Sequence, residues 1–204
     1  MNKLAQERID TGRIYILNVD NANTNSPFDE PLTMSNLCQE VLLRVKALMS
    51  IYDIDTDPKT EHLSEGEIAL CVLAGYNLGN IKSWDELHKC SKHIIRLEDF
   101  VIEHQDYPIN ASRKMLKRRS LGVGVTNFAY WLAKQGLSYT DPAALEKVDE
   151  LFEHIQYSLL LESCELAREV GACEWFDKTT YAKGILPIDR YNKNVDSLVK
   201  KELS

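Results

Sequence analysis

The apolar spacing of this chain changes at Gly79, and that change restricts it to folds that mix strands with long helices. Upstream, Arg13-Ile14-Tyr15-Ile16-Leu17-Asn18-Val19 is β-branched and aromatic and stops at the polar cluster Asp20 to Ser26, which predicts a buried strand feeding a loop. Glu67 to Ala74 predicts a second apolar strand with Cys71 in its middle, after a polar surface excursion over 53–65. Downstream the period is three-and-four. Leu87, Cys90, Ile94, Leu97 and Val101 form one helical stripe, opened by the capping box Ser83-Trp84-Asp85-Glu86 and stopped near Pro108. Leu121 to Val125 is a short extended piece entering a helix from Asn127 to Lys134 that ends at Gly136. Asp141-Pro142 opens a second stripe, Leu145, Val148, Phe152, Ile155 and Leu159, which runs to Gly171. Gly184 to Ile188 reads as a turn or short edge strand, because Pro187 cannot donate within a central ladder, and a basic helical tail closes the chain. The fold class is α/β and helix-rich.

With 204 residues and 44% hydrophobic content, one core is the expectation, so residues 1–204 are read as a single domain without repeats or linkers. A net charge of −7 argues against a nucleic-acid partner and against an anionic membrane surface. No apolar run approaches the roughly 18 residues of a membrane span, and Met1 to Arg8 is not a signal peptide, so a cytoplasmic location is expected. Five cysteines without a CxxC argue against a disulfide framework or a zinc ribbon. Cys90, Cys164 and Cys173 fall in helical patterns and are expected as small buried hydrophobes.

The chemistry centres on Asn36-Leu37-Cys38-Gln39-Glu40. In an extended segment, alternation would point a carboxamide, a thiol and a carboxylate the same way. Taken alone, Cys38 is a loop cysteine beside two solvated polar residues. Thiolate catalysis lacks support: no histidine lies within 20 residues of Cys38, and a neighbouring carboxylate would raise its pKa. Radical chemistry, which needs a neutral thiol, a carboxylate to take a hydroxyl proton and an amide to hold substrate, fits the trio better. Cys71 alone is a core cysteine. Gly122-Val123-Gly124 lacks the third glycine of a dinucleotide fingerprint, the run Arg113, Lys114, Lys117, Arg118, Arg119 reads as a solvated charged face, and Cys90 with His93 has metal-ligand spacing inside an apolar stripe, where packing is the commoner cause.

Taken in order, Thr11 to Ile16, Asn18-Val19-Asp20, Ser26-Pro27-Phe28, Ser35 to Glu40, Gly66 to Cys71, Asn77-Leu78-Gly79, Gln105 to Ile109, Arg119 to Val125, Asn127 to Tyr130 and Gly184 to Asp189 resemble the large catalytic subunit of class I ribonucleotide reductase. The resemblance runs over nearly the whole chain but covers a minority of that family's length. It implies the central part of a ten-stranded α/β barrel, with a finger loop over about residues 20–45. It implies that Cys38 is the thiyl radical that abstracts the substrate's 3′ hydrogen, that Glu40 is the general base on the 3′ hydroxyl, and that Asn36, Leu37 and Glu40 bind substrate. Cys71 would match one member of the redox cysteine pair, whose partner lies in the family upstream of residue 1.

The radical would come from a diiron-tyrosyl small subunit, and electrons from a thioredoxin or glutaredoxin type reductant. No metal ligand is implied in this chain. The regulatory nucleotide region, the substrate-phosphate loop, the tyrosine pair and the cysteine-bearing tail have no counterpart here, and Leu42-Leu43-Arg44-Val45 replaces the usual Leu-Pro-Thr segment. The expectation is a piece of a ribonucleoside-diphosphate reductase, from a split gene or a truncation, active only with the remaining large-subunit pieces and the small subunit. The alternative is a non-catalytic module that binds reductase subunits; a thiol or metal protein using Cys71, Cys90 and His93 is a weaker third.

Overall fold

A computed structural model describes residues 2–70 and 72–191, with the side chain of Tyr191 left aside. Its centre is a two-stranded parallel sheet of β1 (Leu73–Asn77) and β2 (Gly122–Thr126), in register from Leu73↔Gly122 to Asn77↔Thr126. Parallel neighbours need a crossover, and α3 (Trp84–His104) with α4 (Asn110–Arg118) supplies it. Beyond β2 come α5 (Phe128–Lys134), the 29-residue α6 (Pro142–Val170) and α7 (Pro187–Tyr191). Two further helices, α1 (Asn2–Thr11) and α2 (Val19–Asn25), precede the sheet and bury no residue.

Helices α3 and α6 lie side by side. His88 meets His154, Ser91 meets Ser158 and Arg96 meets Glu169, so the partner numbers rise together and the helices run the same way. Parallel strands backed by parallel helices form the repeating unit of an α/β barrel wall. Tyr76, Leu78, Leu87, Leu151 and Ile155 form the core between sheet and helices, and Val72, Ile102, Tyr107 and Met115 form a second cluster under α4.

The long helices occur where their stop signals place them. Ser83 Oγ accepts from the Glu86 amide, but Glu86 answers through the Lys82 amide, so the predicted capping box closes one residue early. Asp141 uses its carboxylate on Ser138 rather than on the helix N-terminus. The predicted stripes are displaced. Helix α3 buries Leu87, Ser91, Ile95, Glu98 and Ile102 while Leu97 is 58% exposed, and α6 buries Ala144, Leu151, Ile155 and Ser158 while Leu145 is 73% exposed. Small residues take the contact line because the two helices approach closely. Ser91 and Ser158 satisfy their hydroxyls on each other (2.8 Å) and on carbonyls of their own helices.

The predicted strand over Arg13 to Val19 is absent. Residues 13–18 are irregular, Tyr15 and Ile16 are exposed, and no described segment offers a ladder to pair with them. The polar cluster behind them is helical instead, since Asn23, Thr24 and Asn25 return their side chains to the carbonyls four residues back. The second strand begins later than predicted, at Leu73; Glu67 forms only an antiparallel bridge to Lys46, and the Ile68 amide bonds Ala111. Cys71 lies outside the described residues, as does the predicted basic tail. Cys164 is exposed on α6 and Cys173 follows the helix, half-buried, where burial pushes its thiol pKa up; neither is the buried helical cysteine expected. The Gly184 segment is a turn, left-handed at Gly184, with Pro187 opening α7. No described helix is long and apolar enough to cross a membrane.

Candidate active site

Residues 36–41 lie on the loop that the sequence predicts and form a closed turn, so the shared face that an extended segment would give is not formed. The Asn36 amide donates to the Val41 carbonyl at 3.3 Å, its Oδ1 accepts from the Val41 amide at 3.0 Å, and the Gln39 amide donates to the Asn36 carbonyl at 3.2 Å. An asparagine side chain that bonds nearby backbone competes with strand pairing, and here it draws the chain into a turn. Gln39 takes the left-handed conformation, φ 61°, that the tight reversal requires. Cys38 therefore sits at the apex as a free, exposed thiol, with Leu37 78% exposed beside it and Glu40 exposed on the return side. Asn36, half-buried, serves the turn through its oxygen.

A cleft of about 560 Å³ opens at the base of this turn. Its walls come from Thr33–Asn36, from Val41, Leu43 and Val45–Leu48 of the return limb, and from the Glu67–Ala69 segment that leads towards Cys71. Asn36 reaches that wall; Cys38 and Glu40 stand beyond it.

The two limbs meet below the cleft at an ionic cluster that sequence reasoning missed. Glu67 accepts from Arg44 Nη1 and from Arg118 Nε, each at 2.7 Å, and the Glu67 and Arg118 side chains are only 5% and 4% exposed. Arg44 Nε makes an ion contact with Glu30 at 2.9 Å, and Arg118 Nη2 lies 3.9 Å from the same carboxylate. The Arg118 guanidinium sits between the rings of Phe28 and Trp175, 4.9 Å from each. The basic run is thus no solvated face. Lys114 is buried and donates to the Glu61 and Ser64 carbonyls, Lys117 pairs with Glu174, and Arg119 pairs with Asp99 and Glu103. The signal lay in the spacing: Lys114 and Arg118 share a helical face with Ala111 and Met115, and a cation on a buried face requires a buried acceptor.

Asp53 fixes the approach to Glu67. It is fully buried, and its carboxylate accepts from the amides of Met49, Ser50, Glu65 and Gly66 and from Ser64 Oγ. These bonds, the Gly66 amide first, hold its pKa well below the usual carboxylate range. A Cβ on Gly66 would come 2.5 Å from Leu48 Cδ2 and 3.1 Å from Asp53 Cγ, so the chain passes here at glycine distance.

The other candidates separate. Cys90 packs against the core cluster while His93 on the same helix is exposed, and among the described residues no three His, Cys, Asp or Glu side chains converge as metal ligands. Gly122 and Gly124 lie within β2, not in a phosphate-binding loop.

The ribonucleotide reductase barrel-domain model matches residues 1–203. A ribonucleoside-diphosphate reductase subunit alpha of Haemophilus influenzae is 50% identical over 204 residues, 98% of this chain and 26% of its own length. The corresponding subunit 1 alpha of Escherichia coli is 48% identical over the same shares, and that of Enterobacteria phage T4 is 37% identical over 96% of this chain and 24% of its own. The chain spans about a quarter of the length of these relatives. With its parallel strands backed by parallel helices and this match along its length, the chain belongs to the ribonucleotide reductase family.

Proposed function

We propose that this chain supplies the radical-cysteine loop of a ribonucleoside-diphosphate reductase and works only in assembly with the rest of a large subunit and a radical-generating small subunit. The observation that carries this reading is the free Cys38 thiol at the apex of a closed turn, in a chain that matches the reductase barrel domain from residue 1 to 203. In it, the Cys38 thiyl takes the hydrogen atom from C3′ of the ribose, which restores the S–H and leaves a carbon radical. Glu40 takes the proton of the 3′ hydroxyl, for which it must come within about 3 Å. The Asn36 amide nitrogen donates to the ribose hydroxyls while its oxygen keeps the turn closed, and Leu37 covers the sugar. Cys71 and a cysteine on another segment supply the two electrons of reduction and become a disulfide, which a thioredoxin or glutaredoxin type dithiol reduces; their Cα atoms must lie within about 7 Å.

An exposed thiyl would be quenched, so the loop has to be enclosed by other parts of the barrel before the radical arrives. The surface fits such enclosure: among the described residues β1 and β2 each leave an unpaired edge, and Tyr15, Ile16, Met34, Leu37 and Leu73 are exposed apolar groups on or beside the loop and sheet. The small subunit, with its diiron-tyrosyl centre, is the radical source in this reading, and the setting is the cytoplasm, that of the host if a phage encodes the chain.

Reconstitution tests it. The chain is mixed with polypeptides carrying the remaining large-subunit segments, the small subunit, a dithiol reductant and a ribonucleoside diphosphate, and deoxyribonucleotide formation is measured. Product should form only when the chain is present and should vanish with Cys38→Ala and with Glu40→Gln. Full activity with Cys38→Ala would overturn the catalytic reading and leave a module that only binds reductase subunits.

A further inference from the structure

Cys38 and its neighbour Leu37 are exposed at the apex of the turn, so the two limbs that carry the thiol set its position. Both limbs are anchored at one place. The outgoing limb brings Phe28 and Glu30 to Arg118, and it is tied to the segment after α6 by the Asp29 amide on the Lys178 carbonyl, the Thr180 amide on the Pro27 carbonyl and the Lys183–Asp29 ion pair. The return limb brings Arg44 to Glu67 and Glu30, and the bridge Lys46↔Glu67 follows two residues on. Arg118 projects from the last turn of α4, the second helix of the crossover between the two strands. We propose that Arg118, with Glu67, Arg44 and Glu30, is a clamp that positions the Cys38 loop over the barrel; the assignment of a catalytic purpose to that positioning rests on the reading of Cys38 given above.

The composition of the cluster suits a clamp better than a general staple. Two guanidinium groups face two carboxylates, so it is neutral as a whole, yet removal of Glu67 or Arg118 leaves the other's buried charge without its partner. Its members come from four separate stretches of chain, which leaves the loop limbs little freedom once the pairs are made. Arg118 contributes more than charge: its guanidinium carbon lies over the rings of both Phe28 and Trp175, a contact that an ammonium cannot reproduce in shape. Among the described residues the buried Arg118 Nη1 and Nη2 find no hydrogen-bond acceptor, and Glu30 Oε2 has no donor in hydrogen-bond alignment. The guanidinium is therefore held by its contacts with the two rings and the Nε bond to Glu67, and the clamp needs both. Placement of a reacting sulfur requires this kind of support, because a displacement of about 1 Å from the productive geometry costs on the order of a hundredfold in rate.

Amide hydrogen exchange on the whole chain reads the clamp without reference to catalysis. The reporters are the amides of Asn36, Val41, Lys46 and Glu67, each bonded across the loop or its base, and the controls are the interior amides of α3 and α6. With Arg118→Lys or Glu67→Gln, exchange at the reporters should rise about tenfold or more while the controls stay unchanged. Arg118→Lys preserves charge, so a reporter response to it isolates the fork and the stacking. Unchanged reporter exchange in both variants would overturn the proposal, and so would an equal rise in reporters and controls, which marks a general loss of stability. In the reconstituted assembly the same variants should lower kcat with the substrate KM held. Faster reporter exchange together with full activity of Cys38→Ala would leave the anchor standing and remove the catalytic reading; the reverse combination would remove the anchor alone.

Discussion

Glu98 offers a quantitative test of how the sheet and helix layers are packed. It lies on α3 with 1% of its surface exposed, and among the described residues neither carboxylate oxygen has a well-aligned hydrogen bond, the nearest donor being the Ala74 amide. Burial, offset only in part by the Ala74 amide on β1, pushes its pKa from 4.5 up to about 7. The folded protein thus prefers the neutral acid, and the unfolded chain releases the proton first. The stability contribution is fully present below pH 4.5 and is lost as pH rises towards 7. At about 1.4 kcal/mol per pH unit, the gap between the two values amounts to about 3 kcal/mol once both states are ionised. Glu98→Gln keeps the shape and abolishes the titration. Urea unfolding of the wild-type chain and the variant across this range isolates the group, because all other titrations are shared. The variant's advantage should grow by roughly 2–3 kcal/mol between about pH 5 and about pH 8. A difference that stays flat would show that Glu98 is hydrated or paired, and the packing of α3 on β1 described above would be wrong.

Further outcomes follow from the same layers. Leu151→Ala removes a side chain 1% exposed between Tyr76, Leu87 and Ile155, so urea unfolding should show a loss of about 2–5 kcal/mol, whereas Leu145→Ala, at 73% exposure, should change little. His154 stacks on Trp84 at 4.2 Å and meets His88 at 3.3 Å, and burial first, then His88, lowers its pKa below 6.5. The neutral ring is the folded form, so this contribution is complete above 6.5 and is lost as pH falls through that value; melting curves below neutrality should steepen this loss, and His88→Gln should lessen it.

The helices were legible because their signals are local. Asp141-Pro142, Gly171, Ser83 and Gly136 mark ends within a residue or two of those observed. Which face they bury was less legible, since α3 and α6 touch through Ser91 and Ser158, residues an apolar count passes over. Arg13 to Val19 has strand composition, but a strand exists only when another segment pairs with it, and none of the described residues does. At the site, sequence identified Asn36, Cys38 and Glu40 as a group on a loop, with a shared face only if the segment is extended; the reversal depends on the Asn36 side chain binding Val41, a choice composition does not reveal. The clamp was hidden for the opposite reason. Its residues are far apart in sequence, and only burial of one face of α4 turns a run of cations into partners for Glu67.

The most direct measurement is a competition between ribonucleoside diphosphates carrying hydrogen and deuterium at C3′, turned over by the reconstituted assembly while the isotope ratio of the residual substrate is followed. Hydrogen-atom transfer to Cys38 predicts steady enrichment of the residual substrate in deuterium, and no turnover with Cys38→Ala. Turnover with an unchanged ratio, or enrichment that persists in Cys38→Ala, would contradict the assignment of the radical to this loop.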